Sequence, residues 1–199
     1  MNIGGIATEN CRTDYAGYEA TGNAKIDNFY SDLSSAVEKS DTKATGDVLG
    51  LTMIPYSDMM SYGMAAYYSE DSTEADPIIR VQSNYGGEQR YYNVHVYDVD
   101  PKNASQLEMF ALSSYLDDKG ATAGGTFGSF AKMKTYAGNA AVLGEGKDLM
   151  NPYTANKKMD WISMLKNMAQ NYLQCSQTYS QYLDCNKMAS SIEEWCKSI

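Results

Sequence analysis

The spacing of apolar positions changes twice along this 199-residue chain. Residues 1–24 are polar and rich in Gly, Ala and Thr, with no period, and predict an extended N-terminal arm ahead of a single domain over 25–199. Ile26, Phe29, Tyr30, Leu33 and Val37 then recur at helical spacing and predict a short amphipathic helix. From 48 to 99 the period becomes two. "DVLGLTMIPY", "SYGMAAYYSE", "IIRVQS" and "RYYNVHVYDV" predict four strands, with Pro77 closing the loop before the third. Gly86-Gly87 suits a two-residue hairpin turn, because both positions tolerate positive φ. That turn fixes a register. Tyr85 faces Glu88, Val81 faces Tyr92 and Ile79 faces Val94, with Val96 extending the apolar face. Arg80, Gln82, Tyr91, Asn93 and His95 fall on the other face. One apolar and one polar face is the pattern of an antiparallel sheet covered on one side, and a one-residue slip would destroy it.

After residue 103 the helical period returns. "NASQLEMFALSSYLDDKG" predicts a helix with Asn103 as N-cap, Gln106 completing a capping box and Gly120 as the stop. Leu107, Phe110, Ala111 and Tyr115 form its inner stripe. "TFGSFAKMKTYAGNAAVLG" predicts the next helix, with Phe127, Phe130, Ala131, Ala137 and Ala140 inward. In "MDWISMLKNMAQNYLQC", Asp160 caps a helix whose Trp161, Leu165, Met168 and Tyr172 share a face. A last helix, Tyr179 to Lys197, packs back through Tyr182, Ala189 and Ile192. Strands followed by helices give an α+β fold: an antiparallel sheet over 48–99 and a helical part over 104–197 packed on one face.

Charge narrows the partners. Lys plus Arg is 16 against 25 Asp plus Glu, a net charge of −9, with no basic cluster. Such a chain repels phosphate backbones and anionic lipid, which argues against nucleic acid. No apolar run is long enough to span a bilayer, and the first residues carry no secretory-signal pattern. The expected location is cytoplasmic, with export lacking a cleavable signal as the other route. Tyrosine is the compositional outlier, at 17 against 4 Phe and 2 Trp. It gives large contact area at low entropic cost and tolerates water at its hydroxyl. A surface rich in Tyr, Asn, Ser and Gly suits a protein partner, and a sugar is also compatible with it.

Few of the candidate motifs have the residues their chemistry requires. His95 is the only histidine, with Asp98 and Asp100 close behind it in "RYYNVHVYDVDPKNAS". On a strand, Asp98 is three residues on and points to the opposite face, and Pro101 ends the strand, so a catalytic pair is not expected. "DVDPKN" has Asn103 where a calcium loop needs Gly. "AVLGEGKD" has Ala141 and Asp148 where a phosphate loop needs Gly and Ser or Thr. "GGTFGSF" precedes a helix, as many structural glycine stretches do. The sequon at Asn103 reads as a helix cap. Cys11, Cys175, Cys185 and Cys196 lack CxxC spacing, so free thiols are expected rather than zinc or redox chemistry. Cys185 and Cys196 lie roughly 16 Å apart along one helix and cannot bridge. No catalytic, metal or cofactor site is assigned.

At "SNYGG", "DPKNASQLEMFALSSYLDDKG" and "GGTFGSFAKMKTY" the chain resembles a family of small uncharacterised bacterial proteins from Gram-positive anaerobes, over residues 15–190. The resemblance implies no activity and carries over no functional residues. The expected role is a non-enzymatic interaction or self-assembly protein. Ile3, Ile6, Cys11, Tyr15 and Tyr18 of the arm and Tyr91 and His95 of the polar sheet face are the candidate interaction residues. A signal-less exported effector or toxin-like protein, or a carboxylate-dependent enzyme acting on a polar substrate, are the alternatives.

Overall fold

The structure, a computed structural model, describes residues 35–41, 43–56, 60–84, 89–122, 128–144, 157–174 and 176–199. The arm, most of the helix expected from Ile26, the Gly86-Gly87 turn, Phe127, Cys11 and Cys175 lie outside the described residues.

The fold is α+β. Strands β1 (Val37–Lys39), β2 (Ala44–Tyr56), β3 (Met60–Ser69), β4 (Ile78–Ser83) and β5 (Arg90–His95) form one antiparallel sheet in the order β1-β5-β4-β3-β2. Helices α1 (Gln106–Asp118), α2 (Gly128–Val142), α3 (Trp161–Leu173) and α4 (Tyr179–Ser198) follow. The β4–β5 register is the expected one, with Ile79 opposite Val94 and Val81 opposite Tyr92. All four side chains are buried under the helices.

Three local expectations are corrected. Val37 lies in a strand, not a helix: it pairs with Val94 along the outer edge of β5, where a β-branched residue fits the pleat. The sheet therefore takes in Val37–Lys39, ahead of the expected 48–99 span. β5 stops at His95, and Val96–Asp98 form a 3-10 turn, anchored by the Val96 N–H donating to the Pro77 carbonyl at 3.0 Å. The cap of α1 is Ser105, not Asn103. Ala104 exchanges backbone hydrogen bonds with Met159 in an isolated bridge, which keeps the chain extended past Asn103. The capping box then closes between Ser105 and Glu108.

α1 is buried all along from Gln106 to Leu116, because the sheet covers one side and the other helices the rest. Several of its polar groups are satisfied internally, although Gln106 Nε2 has no partner among the described residues. Gln106 Oε1 accepts from the Tyr62 hydroxyl at 2.6 Å, and Ser114 donates to the Phe110 carbonyl at 2.8 Å. Gly50 of β2 lies against Ser114 and Phe110, where even a methyl group would collide. Gly120 stops the helix with φ +68°, as its position suggested.

α2 buries Phe130, Met133, Tyr136, Ala137 and Ala140; Ala131, expected inward, is only half-buried. Asp160 caps α3 by accepting from the Ser163 N–H at 2.8 Å. Trp161 is fully buried, its indole N–H donating to the Ala104 carbonyl at 2.9 Å. Leu165 and Met168 meet the α4 side of the core, which includes Cys185, Ala189 and Ile192, while Tyr172 and Tyr182 are half-buried at its margin.

Candidate interaction surfaces

Strand alternation divides the sheet into a helix-covered face and an opposite face. Gly50, Ala66, Val81 and Tyr92 are in register on the covered face, so Leu51, Ala65, Gln82 and Tyr91 are in register on the opposite one. Tyr67, Arg80 and Asn93 form the adjacent row. This face is not uniformly wet. The Arg80 guanidinium sits 4.2 Å over the Tyr91 ring, and the residue is 8% exposed. Asn93 is buried and donates to Glu38 at 3.4 Å.

His95 occupies the end of the same face, opposite Ile78 as the register required. Its carboxylate neighbours are not Asp98 or Asp100. Nδ1 faces Asp76, from the β3–β4 loop, at 3.0 Å, and Nε2 faces Glu38 of β1 at 4.0 Å. Both ring nitrogens thus face carboxylates of the fold. The arrangement ties β1 and the β3–β4 loop to β5. It could not be read from the sequence, because Asp76 and Glu38 lie 19 and 57 positions away and meet His95 only through the strand order. Among the described residues no group of three or more His, Cys, Asp or Glu could hold a metal ion.

The β3–β4 loop also walls an open cleft of about 410 Å³ lined by Ser72, Thr73, Glu74, Pro77, Tyr115 and Lys119. The Lys119 ammonium lies 5.6 and 5.5 Å from the Tyr68 and Tyr115 ring centroids, and Tyr68 donates to Asp118 at 2.6 Å. Burial, then a hydrogen bond with Tyr97, push the Tyr115 hydroxyl up to about 12.

The outer edge of β2 is the most distinctive surface. Leu51 and Met53 are 66% and 67% exposed, and Val48 is also exposed. Gly63, the partner of Met53, turns its N–H and C=O toward Asn84 of the β4 side. Met53 and, two residues away, Leu51 therefore direct their backbone groups outward, at an edge that no other described strand pairs. Two features blunt that edge locally. Lys134 of α2 donates to the Met53 carbonyl at 2.7 Å, with its own pKa depressed by burial, and Pro55 has no N–H to offer. Leu51 keeps both backbone groups outward. Sequence reading found the strand but missed its exposure. The signal was present, as "LGLTMIPY" carries Leu51 and Met53 at one parity and the small Gly50 and Thr52 at the other. The small residues are the ones that admit the helices.

Of the candidate interaction residues, Tyr91 and His95 lie on the same sheet face but engage Arg80 and Asp76. Ile3, Ile6, Cys11, Tyr15 and Tyr18 lie outside the described residues. No helix among the described residues is long and apolar enough to cross a membrane. Compared with protein-family models, with curated proteins and with solved structures, the chain matches none.

Proposed function

We propose that this chain is a non-enzymatic self-assembly protein whose copies pair through the outer edge of β2. The observation that carries the reading is Leu51: an apolar side chain 66% exposed on an edge strand, with its backbone N–H and C=O directed outward. Long apolar edges are ordinarily shortened, charged or covered, because they template further pairing. Here the blunting by Lys134 and Pro55 covers Met53 to Pro55 and spares Leu51.

An antiparallel pair centred on Leu51 lets the two copies exchange both hydrogen bonds at that residue under two-fold symmetry. Electrostatics favour the same place. The chain carries −9, so most of its surface repels another copy, while Ala44–Tyr56 contains a single charge, Asp47. Asp47 lies four positions from Leu51, so antiparallel pairing sets the two carboxylates at opposite ends of the contact. The test is the L51K/M53K variant, measured by light scattering. Lysines at two exposed positions leave the core untouched and reduce the net negative charge. A drop in mass despite the weaker repulsion supports pairing through β2; an unchanged oligomer refutes it.

A further inference from the structure

A second apolar surface lies in the helical layer, away from the sheet face that carries Leu51. α2 and α3 run parallel: Phe130 meets Trp161 at a centroid distance of 6.1 Å, and farther along Asn139 donates to the Tyr172 hydroxyl at 2.7 Å. α4 returns antiparallel to α3, and its early turns face α2 through the Lys132–Asp184 ion pair at 3.3 Å. The C-termini of α2 and α3 and the start of α4 therefore gather at one end of the molecule. Val142, Leu143, Leu173, Tyr179 and Leu183 project there with 87%, 57%, 47%, 52% and 49% exposure.

The described segments that carry these five side chains are poor in charge. Residues 135–144 contain no charged side chain, and neither do residues 167–183, in a chain with 41 charged side chains from 16 + 25. Single exposed apolar residues need no explanation, but five gathered toward one end are the kind of grouping that marks association. We propose that this end is a second self-contact, so that a further copy docks end to end through the tips of α2, α3 and α4. A second copy fits better than a charged partner, since none of the five exposed side chains could pair with a charge. For two molecules of net charge −9, contact through segments without charged side chains also limits Coulomb repulsion. The five side chains expose on the order of 500 Å². Two copies would thus bury about 1,000 Å² in total, the lower end of specific interfaces and consistent with association in the micromolar range. From Lys134, which marks the β2 edge, α2 rises roughly 12 Å to Val142, so the two contacts are centred on different parts of the molecule.

This inference rests on the β2 reading for its consequence. Two separate self-contacts on one chain build a closed tetramer or an open chain, not a dimer. The experiment is sedimentation velocity at about 100 µM protein, above the expected dissociation constant, on the full chain, L51K/M53K, V142K/L173K and the quadruple variant. Lysine at Val142 and Leu173 suits the C-terminal ends of α2 and α3. The full chain should exceed a dimer, each double variant should stop at a dimer, and the quadruple variant should be monomeric. If V142K/L173K sediments like the full chain while L51K/M53K falls to monomer, the end contact is overturned and the β2 reading stands. If L51K/M53K is unchanged and V142K/L173K is monomeric, the β2 reading fails and the end contact stands. A monomeric full chain overturns both. V142S/L173S, which adds no charge, must reproduce the V142K/L173K result, and circular dichroism at 222 nm must show each variant folded.

Discussion

Glu108→Ala should destabilise the protein by about 2–4 kcal/mol, far more than an ordinary helix-surface substitution. Glu108 is 1% exposed, at the third position of α1. Its Oε2 accepts from the Ser105 N–H at 2.7 Å, its own N–H donates to Ser105 Oγ at 3.2 Å, and its Oε1 lies 3.9 Å from Lys158 Nζ. Truncation deprives a buried N–H of a carboxylate acceptor, which costs roughly 1.5–3 kcal/mol for a charged hydrogen bond. Lys158 is partly exposed and recovers water, so the ion pair adds no more than about 1 kcal/mol. The Ser105 cap keeps half of its box. Glu108→Gln retains an acceptor for the Ser105 N–H and should lose less than half as much. Urea unfolding measures both; with a slope of about 2 kcal/mol per molar, the E108A midpoint falls by roughly 1–2 M. A change below about 0.5 kcal/mol, or equal losses for E108A and E108Q, would refute the view that this buried box anchors α1.

Gly50→Ala should cost about 1–3 kcal/mol, because its Cβ would lie 3.2 Å from Ser114 Cβ, and S114G should recover part of the loss in chemical denaturation. Cys185, buried and with its thiol pushed up to about 12 by burial, should stay unmodified by iodoacetamide in the native protein and react on unfolding; rapid native labelling would contradict its placement. Tyr115 is held neutral by the fold, so its contribution is complete below pH 10 and is lost as pH rises toward 12. Y115F should therefore show a shallower loss of stability over that window than the parent chain, and identical slopes would count against the burial of the phenol.

The hairpin register was legible because one face is apolar and a slip would invert it, so Ile79, Val81, Tyr92 and Val94 admit one pairing. The stop at Gly120 and the cap at Asp160 were legible because each is a local backbone requirement. The cap of α1 was not, since the choice between Asn103 and Ser105 is made by a bridge to Met159, which lies 55 positions beyond Ala104. Val37 is not legible as a strand for a similar reason: its helical spacing to Leu33 is local, whereas its pairing with Val94 is not. The β2 surface escaped notice because an apolar residue on a strand predicts a covered face only when a covering element exists. At Leu51 the helices chose the other parity, where Gly50 lets α1 approach.

Backbone amide exchange of β2, followed residue by residue by NMR at low and high protein concentration, tests pairing through this edge most directly. The Leu51 N–H points outward and should exchange quickly in dilute protein, then slow in step with the rise in mass as the partner strand takes it up. Exchange at Leu51 that stays fast while the protein associates would contradict edge pairing.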